Sequence, residues 1–269
     1  QITGYIVEYS SDGGVTWNAA TCSGTATNCD IPGLTDGVDY IFQVAATTAL
    51  GESSFTISDA IVTPVSAPSA PEFILTEAGD GTVFVEWSQP VDDGGGPITG
   101  YVLQYSPDNG VTWITATAST PLMSATVTGL TNGTHYLFRA AGLNSAGTGS
   151  YAVTSTTTTP VTTPNAPSIN TVTPNSDRTG FTVKVAPPSN TGGGAVVSYT
   201  VNVYDASGIQ VGYCETTTLS CAVTGLTPNG TYTIDAVLTT VAGTSPRSRV
   251  ANISLSRVVT AVNAYIRGY

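Results

Sequence analysis

A segment that opens with glycine, leucine and threonine recurs three times in this chain of 269 residues. The copies begin at Gly33, Gly129 and Gly225, so each lies 96 residues from the next. In every copy a tyrosine follows the leucine by six residues, and apolar residues alternate after it. A fixed period of this length is typical of whole domains in tandem rather than of a solenoid. The sequence therefore predicts three repeats of one domain.

Each copy has the composition of a tight corner between two strands. We expect the leucine to fill the core at the turn, while Thr, Asn, Gly and Asp supply the turn conformations. We expect the tyrosine to bury its ring and to bond to the backbone through its hydroxyl. The predicted corner pairs are Leu34 with Tyr40, Leu130 with Tyr136, and Leu226 with Tyr232.

The middle copy predicts seven short strands within about 95 residues, at the turn spacing of an all-β sandwich. The segment Asp108-Asn109-Gly110 is typical of a hairpin turn. Glycine runs at 94–96 and 192–194 occupy the same place in two repeats, and we interpret them as flexible loops between strands. The predicted strands lie at 73–75, 82–87, 101–105, 111–113, 124–127, 136–141 and 151–159.

Several features of the middle copy resemble a fibronectin type III domain. They are Trp87, the strand over 98–103, the Leu130/Tyr136 corner and the loop over 144–147. The Ala-Pro linkers and the Gly-rich loop are similar to those of tandem copies in secreted bacterial surface or filament proteins. The resemblance implies an all-β chain of three tandem immunoglobulin-like sandwiches. Such domains serve as spacers, adhesins and enzyme appendages, so the fold alone does not define the function.

The repeat also sets the expected domain bounds, and it predicts that the first copy is incomplete. Gln1 aligns with Pro97, so we expect the first copy to lack the first two strands of a seven-strand sandwich. The face that carries Tyr5, Val7 and Val44 is then expected to be exposed, beside open backbone edges. The expected domains are 1–64 (incomplete), 65–163 (complete) and 164–256, followed by a C-terminal β tail over 257–269.

Four cysteines form two pairs with one spacing, Cys22/Cys29 and Cys214/Cys221. Each pair lies 11 and 4 residues before the glycine of its repeat, and the second repeat has alanine at both places. We interpret each pair as a local disulfide. In the chain-entropy model, closing a loop this short stabilises the folded state by about 2.5 kcal/mol, because it lowers the conformational entropy of the unfolded chain. Oxidised cysteines predict an extracellular or cell-surface location.

The net charge of −11 is unevenly divided. Residues 1–138 contain 14 acidic and no basic residues, whereas residues 139–269 contain seven basic and four acidic ones. The acidic half argues against nucleic-acid binding, because phosphate would be repelled. The imbalance is explained either by solubility or by head-to-tail attraction between copies. No run of 18 apolar residues occurs, so no membrane span is predicted.

Catalytic and cofactor chemistry is not expected. His135 is the only histidine, and alternation along its strand points it away from the core. A catalytic base needs a nucleophile or acid partner, and the sequence offers no such motif. Asp92 and Asp93 are interpreted as part of a solvated loop, so no metal site is predicted. Trp17 and Trp113 follow equivalent turns, where covering the sheet is favoured over stacking on a sugar; a glycan or cell-surface ligand stays open.

Two hypotheses account for the incomplete first repeat. In the first, the tail of another copy pairs with it by strand addition, and head-to-tail repetition gives a filament. The expected donor contacts are Val258, Val262, Tyr265 and Ile266. In the second, the chain is part of a longer polypeptide whose upstream strands complete the repeat. Both hypotheses predict a non-catalytic, extracellular structural or adhesive fibre component. The alternative is a spacer or carbohydrate-binding appendage of a larger secreted polysaccharide-degrading enzyme.

Overall fold

The structure is a computed structural model that describes residues 1–22 and 24–256, with residues 117–119 described by their backbone alone. Every regular secondary-structure element in this part of the chain is a β-strand. The predicted tail over 257–269 lies outside the described residues. The described residues form two compact units, one of residues 1–77, 84–127 and 136–158, and one of residues 78–83, 128–135 and 159–256.

The first repeat forms a single five-stranded antiparallel sheet. Its strands are β1 (Ile2–Ser10), β2 (Asn18–Ala19), β3 (Ile41–Thr48), β4 (Gly51–Glu52) and β5 (Thr56–Ile57). Their order is β2-β1-β3-β4, and β5 also pairs with β3. The described residues of this repeat contain no second sheet. One face of the β1–β3 pair is therefore not covered in the way a sandwich would cover it.

The second repeat has two sheets, as a sandwich requires. Its strands are β6 (Phe73–Ala78), β7 (Thr82–Trp87), β8 (Gly100–Ser106), β9 (Ile114–Thr120), β10 (Ser124–Thr128), β11 (Leu137–Asn144), β12 (Gly147–Thr148) and β13 (Ala152–Val153). One sheet has the order β10-β7-β6, and the other has the order β12-β11-β8-β9 with β13 on β11. The rings of Trp87 and Tyr101, one from each sheet, meet edge to face with centroids 5.7 Å apart.

The hairpin of this repeat differs from the prediction. The strand expected at 111–113 is a turn, and β9 begins only at Ile114. The cause is the Asp108 carboxylate, which accepts the backbone N–H of Thr112 at 2.9 Å and its hydroxyl at 2.6 Å. These bonds hold the chain in a turn for three residues longer. The strand expected over 151–159 is reduced to β13 and one bridge at Thr158.

The third repeat is a complete two-sheet sandwich. Its strands are β14 (Ser168–Pro174), β15 (Phe181–Ala186), β16 (Val196–Tyr204), β17 (Gln210–Thr216), β18 (Ser220–Val223), β19 (Thr231–Thr240), β20 (Gly243–Thr244) and β21 (Ala251–Ser254). The sheets have the orders β14-β15-β18 and β17-β16-β19-β20, with β21 on β19. Along β15, Phe181, Val183 and Val185 are buried while Thr182 and Lys184 are exposed, which is the alternation of a half-buried strand. The predicted all-β fold class is confirmed.

Successive repeats meet at a joint made of backbone. In the first joint, the Gly37 N–H donates to the Pro64 carbonyl, and the Ser66 N–H donates to the Gly94 carbonyl, both at 2.9 Å. Gly37 has a φ of 76°, which favours glycine. A Cβ on Gly37 would lie 3.0 Å from the Cα of Gly95. A side chain at either glycine would therefore force the joint apart.

The second joint repeats these contacts. The Gly133 N–H donates to the Pro160 carbonyl, and the Thr162 N–H donates to the Gly192 carbonyl, again at 2.9 Å. A Cβ on Gly133 would lie 3.0 Å from the Cα of Gly193. The two glycine runs interpreted as flexible loops are thus packed against the linker and the preceding corner.

Candidate interaction surface

The uncovered face of the first repeat holds a cavity of about 720 Å³. Tyr5 and Val7 of β1 and Phe42 and Val44 of β3 line its floor, because alternate residues of adjacent strands share one face. The segment 26–31 forms part of its wall. The structure thus brings together three predicted contact residues, Tyr5, Val7 and Val44. The other four, Val258, Val262, Tyr265 and Ile266, lie outside the described residues.

The same side-chain positions are fully buried in the complete repeats. Val44 is 41% exposed, whereas its counterparts Ala140 and Ala236 are 0% exposed. Tyr5 is only partly buried, while Tyr101, 96 residues later, is 4% exposed. The first repeat therefore keeps core-type side chains on a face that nothing in the described residues covers. Exposed apolar faces of this kind are typical of surfaces that another chain segment covers.

An unpaired backbone edge borders the cavity. In the third repeat, β18 pairs with the edge of β15. The equivalent segment 28–31 of the first repeat belongs to no strand. Backbone N–H and C=O groups at such an edge are a template for pairing with another strand.

The two disulfides differ in what they connect. Cys214 lies on β17 and Cys221 on β18, so their bond joins the two sheets of the third repeat, with Cα atoms 6.0 Å apart. Cys22 and Cys29 are also bonded, with Cα atoms 5.8 Å apart, and both line the open cavity. The Cys22–Cys29 bond therefore holds the wall of the cavity and does not join two sheets.

The predicted corners hold buried tyrosines. Tyr40, Tyr136 and Tyr232 are 6%, 5% and 7% exposed. In the first repeat the Thr35 N–H donates to the Tyr40 hydroxyl at 3.1 Å. In the third the Tyr232 hydroxyl donates to the Thr227 carbonyl at 3.0 Å.

The corner leucines follow the same division between open and complete repeats. Leu130 and Leu226 are 7% and 5% exposed, whereas Leu34 is only partly buried and lines the cavity. The leucine of a complete repeat thus fills the core, and that of the first repeat stays partly exposed at the cavity.

Two hairpin carboxylates are held ionised by their turns. The hydroxyl and N–H of Thr16 and the hydroxyl of Ser10 donate to Asp12, and these bonds lower its pKa from 3.8 to about 2. The hydroxyls of Thr112 and Ser106 and the Thr112 N–H lower the pKa of Asp108 in the same way, also to about 2. Both groups therefore serve as turn acceptors rather than as catalytic acids.

Arg139 is not among the residues predicted from the sequence, yet it accounts for the position of the Trp113 ring. Its guanidinium lies 4.3 Å from the centre of the Trp113 ring and 4.4 Å from that of Tyr151. Its Nε donates to the Gln104 side chain at 2.7 Å. One face of Trp113 is thus covered by a cation. The alternation of β11 and the basic residue at its centre are the signals that point to this contact.

The described residues offer no arrangement for metal binding, since no three His, Cys, Asp or Glu side chains lie close enough together to share an ion. His135 is exposed, and its Nδ1 lies 2.6 Å from the Thr159 hydroxyl. A search of residues 1–22 and 24–256 finds no helix able to cross a membrane.

The fold and the repeat pattern agree with a family comparison. The model of the fibronectin type III domain matches residues 1–62, 66–158 and 165–254. These matches cover most of the chain, so the chain belongs to the fibronectin type III family. Such repeats fit a non-catalytic structural or adhesive role.

Relatives share the domain type over short parts of much longer proteins. Human fast-type myosin-binding protein C is 30% identical over 149 residues, which cover 54% of this chain and 13% of that protein. Human receptor-type tyrosine-protein phosphatase F is 28% identical over 221 residues, or 81% of this chain and 11% of that protein. The crystal structure of chicken CNTN1 FN1-FN3 domains is 18% identical, covers 95% of this chain and 89% of that chain, and has a TM-score of 0.35.

The myosin-binding protein and the phosphatase are human proteins, so they do not support the expected bacterial-type origin. The chain matches only 8% to 14% of the length of the curated relatives. The part shared with the phosphatase lies in a chain segment that matches fibronectin type III repeats. The comparison with the phosphatase therefore supports only the domain type of this chain.

Proposed function

We propose that this chain is an extracellular structural or adhesive segment that associates head to tail with further copies of itself, by strand addition to the first repeat. The observation that carries the proposal is the uncovered β1–β3 face with its cavity of about 720 Å³ beside an unpaired edge. Strand addition satisfies both features at once, because the backbone pairs with the edge and alternate side chains fill the cavity.

Charge and covalent structure support the same proposal. Residues 1–138 carry 14 acidic and no basic residues, and all seven basic residues follow. Opposite ends of opposite sign favour head-to-tail encounter over head-to-head encounter. The two disulfides fit an oxidising, extracellular environment. A contact between different surfaces of identical subunits propagates into a filament when the rotation does not close a ring.

The test is the association state of the purified chain. We expect sedimentation velocity to show concentration-dependent association, and electron microscopy to show linear particles. Val44→Asp places a charge on the cavity floor and is expected to abolish association, because an unpaired carboxylate resists burial. Val15→Asp is the matched control, since Val15 is 81% exposed and lies outside the cavity.

Two outcomes contradict the proposal. One is a chain that remains monomeric throughout the micromolar range while its first repeat is folded. The other is equal association of the Val44→Asp and Val15→Asp variants, which would place the contact elsewhere.

A further inference from the structure

The complete repeats define the register in which a strand would enter the first repeat. In the third repeat, Phe181 lies opposite Val223 and Val183 lies opposite Cys221. The positions 192 residues earlier are Ile31 and Cys29, and the corner glycines and the cysteines share this same offset. An entering antiparallel strand in this register places one inward residue opposite Ile31 and the next inward residue opposite Cys29.

A second, independent contact fixes the other end of the strand. The Trp87 N–H donates to the Met123 carbonyl at 2.9 Å, and the Val185 N–H donates to the Leu219 carbonyl at 3.0 Å. Both acceptors map onto Thr27, at offsets of 96 and 192 residues. The entering residue that donates to the Thr27 carbonyl therefore carries the third inward side chain. Trp87 occupies the equivalent position in the second repeat, and its ring meets that of Tyr101 edge to face. The counterpart of Tyr101 in the first repeat is Tyr5.

The surface thus requires a five-residue strand whose first, third and fifth side chains are apolar. The second and fourth side chains point outward, as Thr182 and Lys184 do in β15. The floor they meet consists of Tyr5, Val7, Phe42 and Val44.

We infer that the occupant is Val262–Ile266 of a second copy, an inference that rests on the proposed head-to-tail association. Among five-residue windows of 257–269, it alone places three residues with apolar side chains at the inward positions, Val262, Ala264 and Ile266. The window beginning at Val258 puts Thr260 at the middle position, and shifting by one residue turns Asn263 inward. In this register Val262 faces Ile31, Ala264 faces Cys29, and the Ile266 N–H donates to the Thr27 carbonyl.

The charges of the two partners are complementary. Residues 257–269 contain two arginines and no acidic residue. Residues 1–64 contain seven acidic residues and no basic residue. Opposite charge favours this pairing over the pairing of two first repeats.

Of the four predicted donor contacts, three lie within the five-residue strand, and Val258 lies outside it. Val262 and Ile266 enter the cavity, whereas Tyr265 lies on the outer face, because neighbouring strand residues point to opposite sides. Ile266 and Tyr265 are therefore a matched inward and outward pair.

The test adds synthetic peptides of residues 257–269 in excess to the full chain, with sedimentation velocity and hydrogen exchange as the readouts. The unmodified and Tyr265→Asp peptides are expected to cap the first repeat, reduce the mass of the assemblies, and slow amide exchange over 27–31. The Ile266→Asp peptide is expected to bind about 10-fold more weakly or worse, because its carboxylate would be buried without a partner.

The outcomes distinguish a failure of this register from a failure of the proposed head-to-tail association. If the chain associates but the three peptides act alike, or Tyr265→Asp is the damaging change, the register is overturned while head-to-tail association stands. If the chain is monomeric and no peptide slows exchange over 27–31, the proposed association falls as well. If a longer natural chain protects 27–31 as a monomer and excludes the peptide, its own upstream strand is the occupant, and the tail is not.

Discussion

The first and third repeats have the same corner and the same cysteine spacing, yet they are stabilised differently. In the third repeat, a sheet of three strands covers a sheet of five, and residues such as Val201 and Ile234 are 0% exposed. In the first repeat, the equivalent five-stranded sheet is uncovered, and Val44 is 41% exposed. The corner and the cysteine bond therefore form whether or not a second sheet is present. They persist locally, but they do not create a core.

The sharpest way to test this contrast is to truncate one phenylalanine in each kind of repeat. Phe138 is 0% exposed, and Phe138→Ala is expected to cost about 3–5 kcal/mol of unfolding free energy, because it leaves a cavity in a packed core. Phe42 lies 96 residues earlier but is only partly buried, so Phe42→Ala should cost about 1 kcal/mol. Calorimetry, with hydrogen exchange to assign each transition, measures both. Equal losses would show that the first repeat has a core of its own.

The disulfides allow a second test of the same contrast. Replacing both Cys214 and Cys221 by alanine is expected to destabilise the third repeat by about 2.5 kcal/mol, the value for so short a loop in the chain-entropy model. The same change at Cys22 and Cys29 should cost less, because Cys29 lies in no strand and its bond does not join two sheets. Denaturant unfolding of the two double variants, each against the unmodified chain, gives the values. A larger loss at Cys22/Cys29 would refute the expected order.

The third corner lacks the glycine that the first two corners place in the joints, and this difference gives a test of the joints. Asn229 stands where the first two corners have Gly37 and Gly133, and its φ is 63°. Asparagine tolerates this conformation. Gly133→Asn is therefore expected to cost about 1 kcal/mol through backbone preference, and to loosen the second joint because its Cβ approaches Gly193.

Limited proteolysis of the linker near residue 161 measures the loosening. Gly129→Asn is the control, since Gly129 has a similar φ of 74° and open space around it. We expect faster cleavage for Gly133→Asn only. Equal cleavage of both variants would mean that backbone preference, and not the contact with Gly193, controls the joint.

The smallest expected effect concerns the hairpins that the first two repeats share. Because folding lowers the pKa of Asp108 from 3.8 to about 2, the stabilisation is fully present above pH 3.8 and is lost as the pH falls to about 2. Asp108→Ala should lower the melting temperature at pH 5, and the gap to the unmodified chain should narrow by pH 2. Asp59→Ala, at an exposed position, is the control. A gap that does not change with pH would show that ionisation contributes nothing.

Much of the fold was predictable because it repeats. The 96-residue period and the alternation of apolar residues predict three all-β domains, and the pairing of cysteines follows from one shared spacing. The open face was predictable for the same reason, since Tyr5, Val7 and Val44 occupy positions that are buried in the other repeats. The donor residues in the tail remain a prediction.

The joints were not predictable from local sequence. Gly37 and Gly95 are 58 positions apart, and each alone fits an ordinary turn. Only the contact between backbones shows why no side chain is allowed there. The partner of Trp113 was not predicted for a similar reason, because Arg139 reaches it from a strand distant in sequence.

The joint also has a consequence for how such chains can be lengthened. Residues 65–160 contain a glycine loop at one end and a glycine corner at the other, so one copy of this segment carries both sides of the contact. Duplicating the segment in phase would join the new copy to its neighbours without any further substitution. A duplication of the third repeat would bring Asn229 to the new junction instead. Of the three repeats, the middle one is therefore the one that carries both sides of this contact.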